Sequence, residues 1–153
     1  DLRERHDPEP HIIPLILREA QRVREGGDRH ASELAVFGDD YPTPDGTCVR
    51  DYIHVEDLCR AHLAAAERVL SGKTIGFEAF NLGNARGVSI LELIAAVKEI
   101  TGADILHRVL PRRPGDPPTL IGSSAKAQEV LGWQPEITDL HEILRTAWTT
   151  MHR

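Results

Sequence analysis

The residues best suited to chemistry fall in one loop, Arg112-Arg113-Pro114-Gly115-Asp116-Pro117-Pro118. A guanidinium is a planar fork of N–H donors that pairs bidentately with phosphate oxygens. An aspartate three residues on can accept hydrogen bonds from vicinal hydroxyls, as acidic residues do with a ribose. Pro114 and Gly115 restrain the backbone between them, so both groups have little entropy to lose on binding. The same spacing also suits a solvated basic loop with an internal salt bridge. A second stretch is Arg50-Asp51-Tyr52-Ile53-His54-Val55. Arg50 and Tyr52 share a strand face, which suits a diphosphate and a neighbouring hydroxyl; a purely structural Arg50 would pair with Asp51 or Asp57. Asn81-Leu82-Gly83-Asn84 reads as structural, with Gly83 permitting a tight turn.

Counting removes several other chemistries. Gly72-Lys73-Thr74 ends like a phosphate-binding loop, but the glycine needed five residues earlier is Glu67, so a helix C-terminal turn is the better reading. The chain has no G-x-G-x-x-G fingerprint and no G-x-S-x-G nucleophile elbow. His54 and His62 fit no H-E-x-x-H pattern and read as ordinary surface or partly buried histidines. Cys48 and Cys59 are too few for a disulfide scaffold and lack metal-ligand spacing. No metal site is expected.

The elements that position these groups alternate between helix and strand. Pro14 suits the first position of a helix that Gly26-Gly27 closes, and Glu33–Phe37 reads as a short strand. The turn-rich residues 38–47 lead into an alternating strand from Cys48 to Val55 and a helix from about Asp57 to Leu70. Glu78–Leu82 reads as another strand. Ser89 and Glu92 form a capping box for a helix over Ile90–Thr101, closed by Gly102. A strand over Ile105–Leu110, the proline-rich loop 111–118, a helix over Ser124–Leu131 and a last amphipathic helix complete the chain. That helix carries Leu140, Ile143, Leu144, Ala147 and Met151 on one stripe. The class is α/β or α+β with short strands.

Composition bounds the partners. With 18 Lys and Arg against 24 Asp and Glu in 153 residues, the net charge is −6, which argues against nucleic acid. No apolar run approaches the ~18 residues of a membrane span, and no signal-like start appears. A cytoplasmic location is the expectation. The only methionine is Met151, so the chain begins at Asp1 without an initiator.

Residues 37–58 (FGDDYPTPDGTCVRDYIHVEDL) resemble the signature of UDP-glucose 4-epimerases, extended members of the short-chain dehydrogenase/reductase family. Phe80–Asn84, Pro111–Pro117, Ser124–Ala127 and Leu131–Trp133 follow in the family's order, so the resemblance covers essentially the whole chain. It matches only the C-terminal half. The family's NAD-binding Rossmann domain and its Tyr-x-x-x-Lys pair are absent here, so residues 1–153 are expected to be a nucleotide-sugar-binding domain with no catalytic residue of its own.

The resemblance implies that Arg50 and Arg113 hold the diphosphate of UDP-glucose or UDP-galactose and that Asp116 holds the uridine ribose. Ala35, Val36 and Phe37 would line the uracil. His11 and Ile12 fall where the family has a pair, often Asn-Leu, that touches the diphosphate or sugar. Leu120 stands where side-chain size bears on whether an N-acetyl group fits. In the family, NAD takes a hydride from C4 of the hexose, the ketone turns over, and the hydride returns to the other face. The resemblance also implies a homodimer when the enzyme is complete, an inactive 153-residue fragment, and helix residues such as Leu58, Leu63 and Val69 exposed without the Rossmann half. Alternatives are a nucleotide-sugar dehydratase or decarboxylase of the same family, or a non-catalytic UDP-sugar-binding remnant.

Overall fold

The computed structural model describes residues 9, 11–28, 33–73 and 76–151. The element order is α1 (Ile12–Arg24), β1 (Leu34–Phe37), β2 (Val49–Asp51), α2 (Val55–Leu70), β3 (Gly87–Ser89), α3 (Ile90–Thr101), β4 (His107–Leu110), β5 (Thr119–Leu120), α4 (Ala125–Leu131) and α5 (Leu140–Met151). This is the mixed α/β class with short strands that the sequence implies.

Two small sheets organise the strands. β1 and β4 pair in parallel, with Phe37 opposite Leu110. β2 lies between antiparallel β3 and parallel β5, with Arg50 opposite Leu120. The main core packs Ile16, Leu17 and Ala20 of α1 against Leu93 and Val97 of α3, Leu144 of α5, and Leu34 and Val36 of β1. Ala61, Ala127 and Trp133 form a smaller second cluster that joins α2 to α4.

α3 has the bounds that its capping box announces. Ser89 Oγ accepts from the Glu92 N–H and the Glu92 carboxylate accepts from the Ser89 N–H, while Gly102 takes φ 71° at the C-terminal end. Other boundaries moved. α1 begins at Ile12, so Pro14 sits in its first turn, where the missing N–H costs nothing. α2 begins at Val55 because the His54 ring accepts from the Glu56 N–H and caps it; the preceding strand therefore stops at Asp51. His54 is buried, not a surface histidine, and its Nε2 lies 2.9 Å from Thr146 Oγ1. Glu78–Leu82 is not a strand, since no described strand lies alongside to satisfy its backbone groups.

Three aspartates explain much of the motif-rich sequence as architecture. Asp45 accepts from the Thr47 N–H and hydroxyl at 2.9 and 2.8 Å and from Ser89 Oγ, so the turn after β1 is bolted to the start of α3. Asp51 accepts from the N–H groups of Asn84 and Gly122, both at 3.2 Å. Gly83 is required there for closeness rather than for a turn, because a Cβ would collide with the Asp51 carboxylate. Asp57 is fully buried; it pairs with Arg60 and accepts from the N–H groups of Glu136 and Ile137 at 2.9 and 3.0 Å.

Candidate functional site

The path of the chain brings the two arginine stretches together. Residues 111–118 leave the end of β4, beside Phe37 on β1, and enter β5, beside Arg50 on β2. One loop thus bridges both sheets at the ends that carry the candidate groups. Beside it runs a groove of about 1150 Å³, lined by the start of α1, by β1, by residues 50–56 and by the outer half of α5. Its walls are largely apolar, with polar groups contributed by the start of α1, by residues 50–56, by Arg113 and by α5.

Of the residues expected at a site, His11, Ile12, Ala35, Val36, Phe37, Arg50 and Arg113 all line this groove. Asp116 does not line it but holds both arginines, with Oδ2 2.8 Å from Arg113 Nε and Oδ1 3.4 Å from Arg50 Nη2. Leu120 stands apart on β5, 59% exposed and outside the groove lining. The neighbouring arginines divide their work. Arg112 stacks on the Tyr41 ring at 4.2 Å and donates to Asp40 Oδ1 at 2.6 Å, holding that carboxyl below its usual range. Arg113 instead lies over the Phe37 ring at 4.7 Å and faces the groove.

Arg50 is fixed at one end and unsatisfied at the other. Its Nη1 donates to the carbonyls of Val49 and Pro117 at 2.8 and 2.9 Å. Its Nη2 is sealed from solvent and makes no hydrogen bond, the 3.4 Å approach of Asp116 lacking hydrogen-bond geometry. Neither Asp51 nor Asp57 is its partner, because both carboxylates are engaged elsewhere. The internal salt bridge of the proline-rich loop does exist, between Arg113 and Asp116. A sealed guanidinium N–H without an acceptor is costly, and it marks the point where an anionic ligand would gain most.

Tyr52 also lines the groove, and its hydroxyl is sealed without a partner. Burial first, and the nearby Cys48 second, push this phenol up to about 12 against the opposing pull of Arg50. The fold therefore favours the neutral phenol. Its contribution to stability is whole below about pH 10 and is lost as pH rises from there to about 12. Difference absorbance between the protein and its Tyr52→Phe variant should show this tyrosine ionising about two units above free tyrosine. Ionisation near pH 10 would mean that the ring is not sealed.

The sequence reading missed the α5 side of the groove, where Thr146, Ala147, Thr150 and Met151 line the wall and Thr146 Oγ1 lies 2.9 Å from His54 Nε2. Ala147 and Met151 were visible only as part of an amphipathic stripe. Among the described residues no group of His, Cys, Asp and Glu is arranged to hold a metal ion, and both cysteines are free. No described helix is long and apolar enough to cross a membrane.

The sequence profile of the GDP-mannose 4,6 dehydratase family matches residues 5–147. The chain belongs to this family. Within it, the chain is similar to a UDP-glucose 4-epimerase of Lacticaseibacillus casei, 48% identical over 145 residues, which are 95% of this chain and 41% of that protein. A crystal structure of a UDP-glucose 4-epimerase from Brucella ovis in complex with NAD superposes with a TM-score of 0.81 at 44% identity, covering 98% of this chain and 43% of that one. A UDP-glucose 4-epimerase from Bifidobacterium longum in complex with NAD+ and UDP gives 0.74 at 36% identity, covering 92% and 39%. The resemblance read from residues 37–58 is thus to the proteins that whole-chain comparison also finds. The chain spans about two-fifths of the length of these relatives.

Proposed function

We propose that this chain is the UDP-sugar-anchoring part of an NAD-dependent UDP-glucose 4-epimerase that interconverts UDP-glucose and UDP-galactose. The observation that carries the reading is the unsatisfied Arg50 Nη2, set beside Arg113 at one end of the groove. Two guanidinium groups match the two negative phosphates, with Asp116 alongside to accept from ribose hydroxyls. Ala35, Val36 and Phe37 flank the uracil, and His11 and Ile12 face the diphosphate or sugar from the start of α1, while Leu120, exposed outside the groove, is given no contact with the hexose. Strong anchoring of the diphosphate leaves the hexose free to turn, which an epimerisation at C4 requires.

NAD, bound by the Brucella ovis relative, supplies the hydride chemistry in this reading. Holding it takes a glycine-rich turn at a helix start. No described helix begins from one, and the starts of α2 and α3 are closed by His54 and Ser89. The residues of this chain do not fit that group, so it is assigned to the further length that the relatives have, and no catalytic residue is assigned here. The 153 residues alone are proposed to be inactive, and the whole protein to be a cytoplasmic homodimer with no nucleic-acid or membrane partner.

The test is a coupled assay of the full polypeptide with UDP-galactose. Formation of UDP-glucose is the expected result. Consumption of a nucleotide sugar with loss of water or carbon dioxide would replace the epimerase with a dehydratase or decarboxylase. Binding of UDP without turnover would leave a non-catalytic nucleotide-sugar binder.

A further inference from the structure

The arrangement around Asp116 points to a function that its position as a ribose acceptor does not include. Its carboxylate lies against both candidate phosphate-binding arginines, at 2.8 Å from Arg113 Nε and 3.4 Å from Arg50 Nη2. Arg50 Nη2 is sealed from solvent in this state, so no ligand oxygen reaches it until its surroundings move. The opposite end of that guanidinium is tethered, with Nη1 held by the carbonyls of Val49 and Pro117. Asp116 is the less tethered partner. It belongs to a loop turn in which Gly115 takes φ 85° with open space around its α-carbon, and its own side chain is 22% exposed.

We propose that Asp116 is an internal stand-in for the diphosphate. Resting on the anchoring function argued above, the ligand-free site keeps its two guanidinium groups partly neutralised by this one carboxylate. An arriving diphosphate takes over Arg50 and Arg113 and expels Asp116, which is then free to accept from the ribose hydroxyls of the same ligand. Ligands with a diphosphate but no ribose must displace Asp116 without giving it a new partner. The exchange therefore selects for nucleoside diphosphates over simple diphosphates, in addition to any direct contact with the ribose. No covalent step is involved.

Asp116→Asn in the full polypeptide separates the two functions, with inorganic pyrophosphate, UDP and 2′-deoxy-UDP as calorimetric probes. The neutral amide no longer competes for the arginines, so pyrophosphate should bind about three- to fivefold more tightly, the scale of a partly exposed ion pair. The preference for UDP over 2′-deoxy-UDP should shrink in the same variant. Asp116→Ala should move pyrophosphate in the same direction, and thermal melts of both variants would establish that they are folded. Unchanged or weaker pyrophosphate binding in folded variants whose parent binds UDP would overturn the stand-in while leaving the anchoring site intact. Failure of the unaltered protein to bind UDP at all would overturn both.

Discussion

Replacing Arg113 by alanine in the full polypeptide is expected to weaken UDP-sugar binding by about 1.5–3 kcal/mol, roughly ten- to 150-fold in Kd. That is the range for a hydrogen bond to a charged group, and Arg113 offers a whole guanidinium to a doubly charged ligand. The fold should tolerate the change. The side chain is 57% exposed, and among the described residues its ion pair is with Asp116 and its ring contact with Phe37. Loss of the cation–ring contact would cost at most about 1 kcal/mol at such an exposed place.

Arg112→Ala is the matched control. Its guanidinium is committed to Tyr41 and to Asp40, including the Asp40 carbonyl, on the side away from the groove. Calorimetric titration with UDP should find the Arg112 variant near the parent and the Arg113 variant far below it. Equal affinities for the parent and the Arg113 variant would remove Arg113 from the site. Weakening by both variants to the same degree would point to a nonspecific effect of charge on an acidic protein.

The difference between these adjacent arginines was not legible in the sequence. Both precede Pro114, and only the resemblance singled out the second. The structural cause is long-range: which residue faces β1 depends on β4 delivering the loop opposite Phe37, a register that local spacing does not encode. What was legible had a local cause. α3 announces itself because its capping box and terminal glycine both lie at the ends of its own segment. Strand ends were harder. The alternation of residues 48–55 implies a strand throughout, yet His54 turns inward to cap α2 and the pairing stops at Asp51.

The aspartates taught a similar lesson. Asp51 and Asp57 were natural sequence partners for Arg50, but each is taken by backbone N–H groups from segments thirty or more residues away. A backbone N–H shielded from water without an acceptor is costly, and these two carboxylates, one buried and one half-buried, supply the acceptors. Among the described residues that leaves Arg50 with Asp116 as its charged partner, an outcome that depends on the tertiary placement of β5.

The 153 residues in isolation are expected to self-associate or to melt below the temperature usual for a domain of this size. α2 is sixteen residues long yet buries only Asp57 and Ala61. Val55, Leu63 and Leu70 fall on one side of it at intervals of eight and seven residues, and they are 64%, 60% and 86% exposed. Val69 and the following Phe77 extend the apolar surface, whereas Leu58 is half-buried and does not belong to it. An amphipathic helix normally turns such a stripe inward, and contiguous exposed apolar surface marks a contact face or a route to aggregation. The relatives are more than twice as long, and the Rossmann half that the resemblance implies would supply a cover for this face. Leu63→Glu with Leu70→Glu should therefore return the isolated chain to a monomer in sedimentation, because neither side chain contributes to the core. The same pair placed in the full polypeptide should lower its melting temperature if the stripe is covered there, and an unchanged melt would show that it is not. A parent chain that is already a monodisperse monomer with a sharp two-state melt would show that α2 needs no cover.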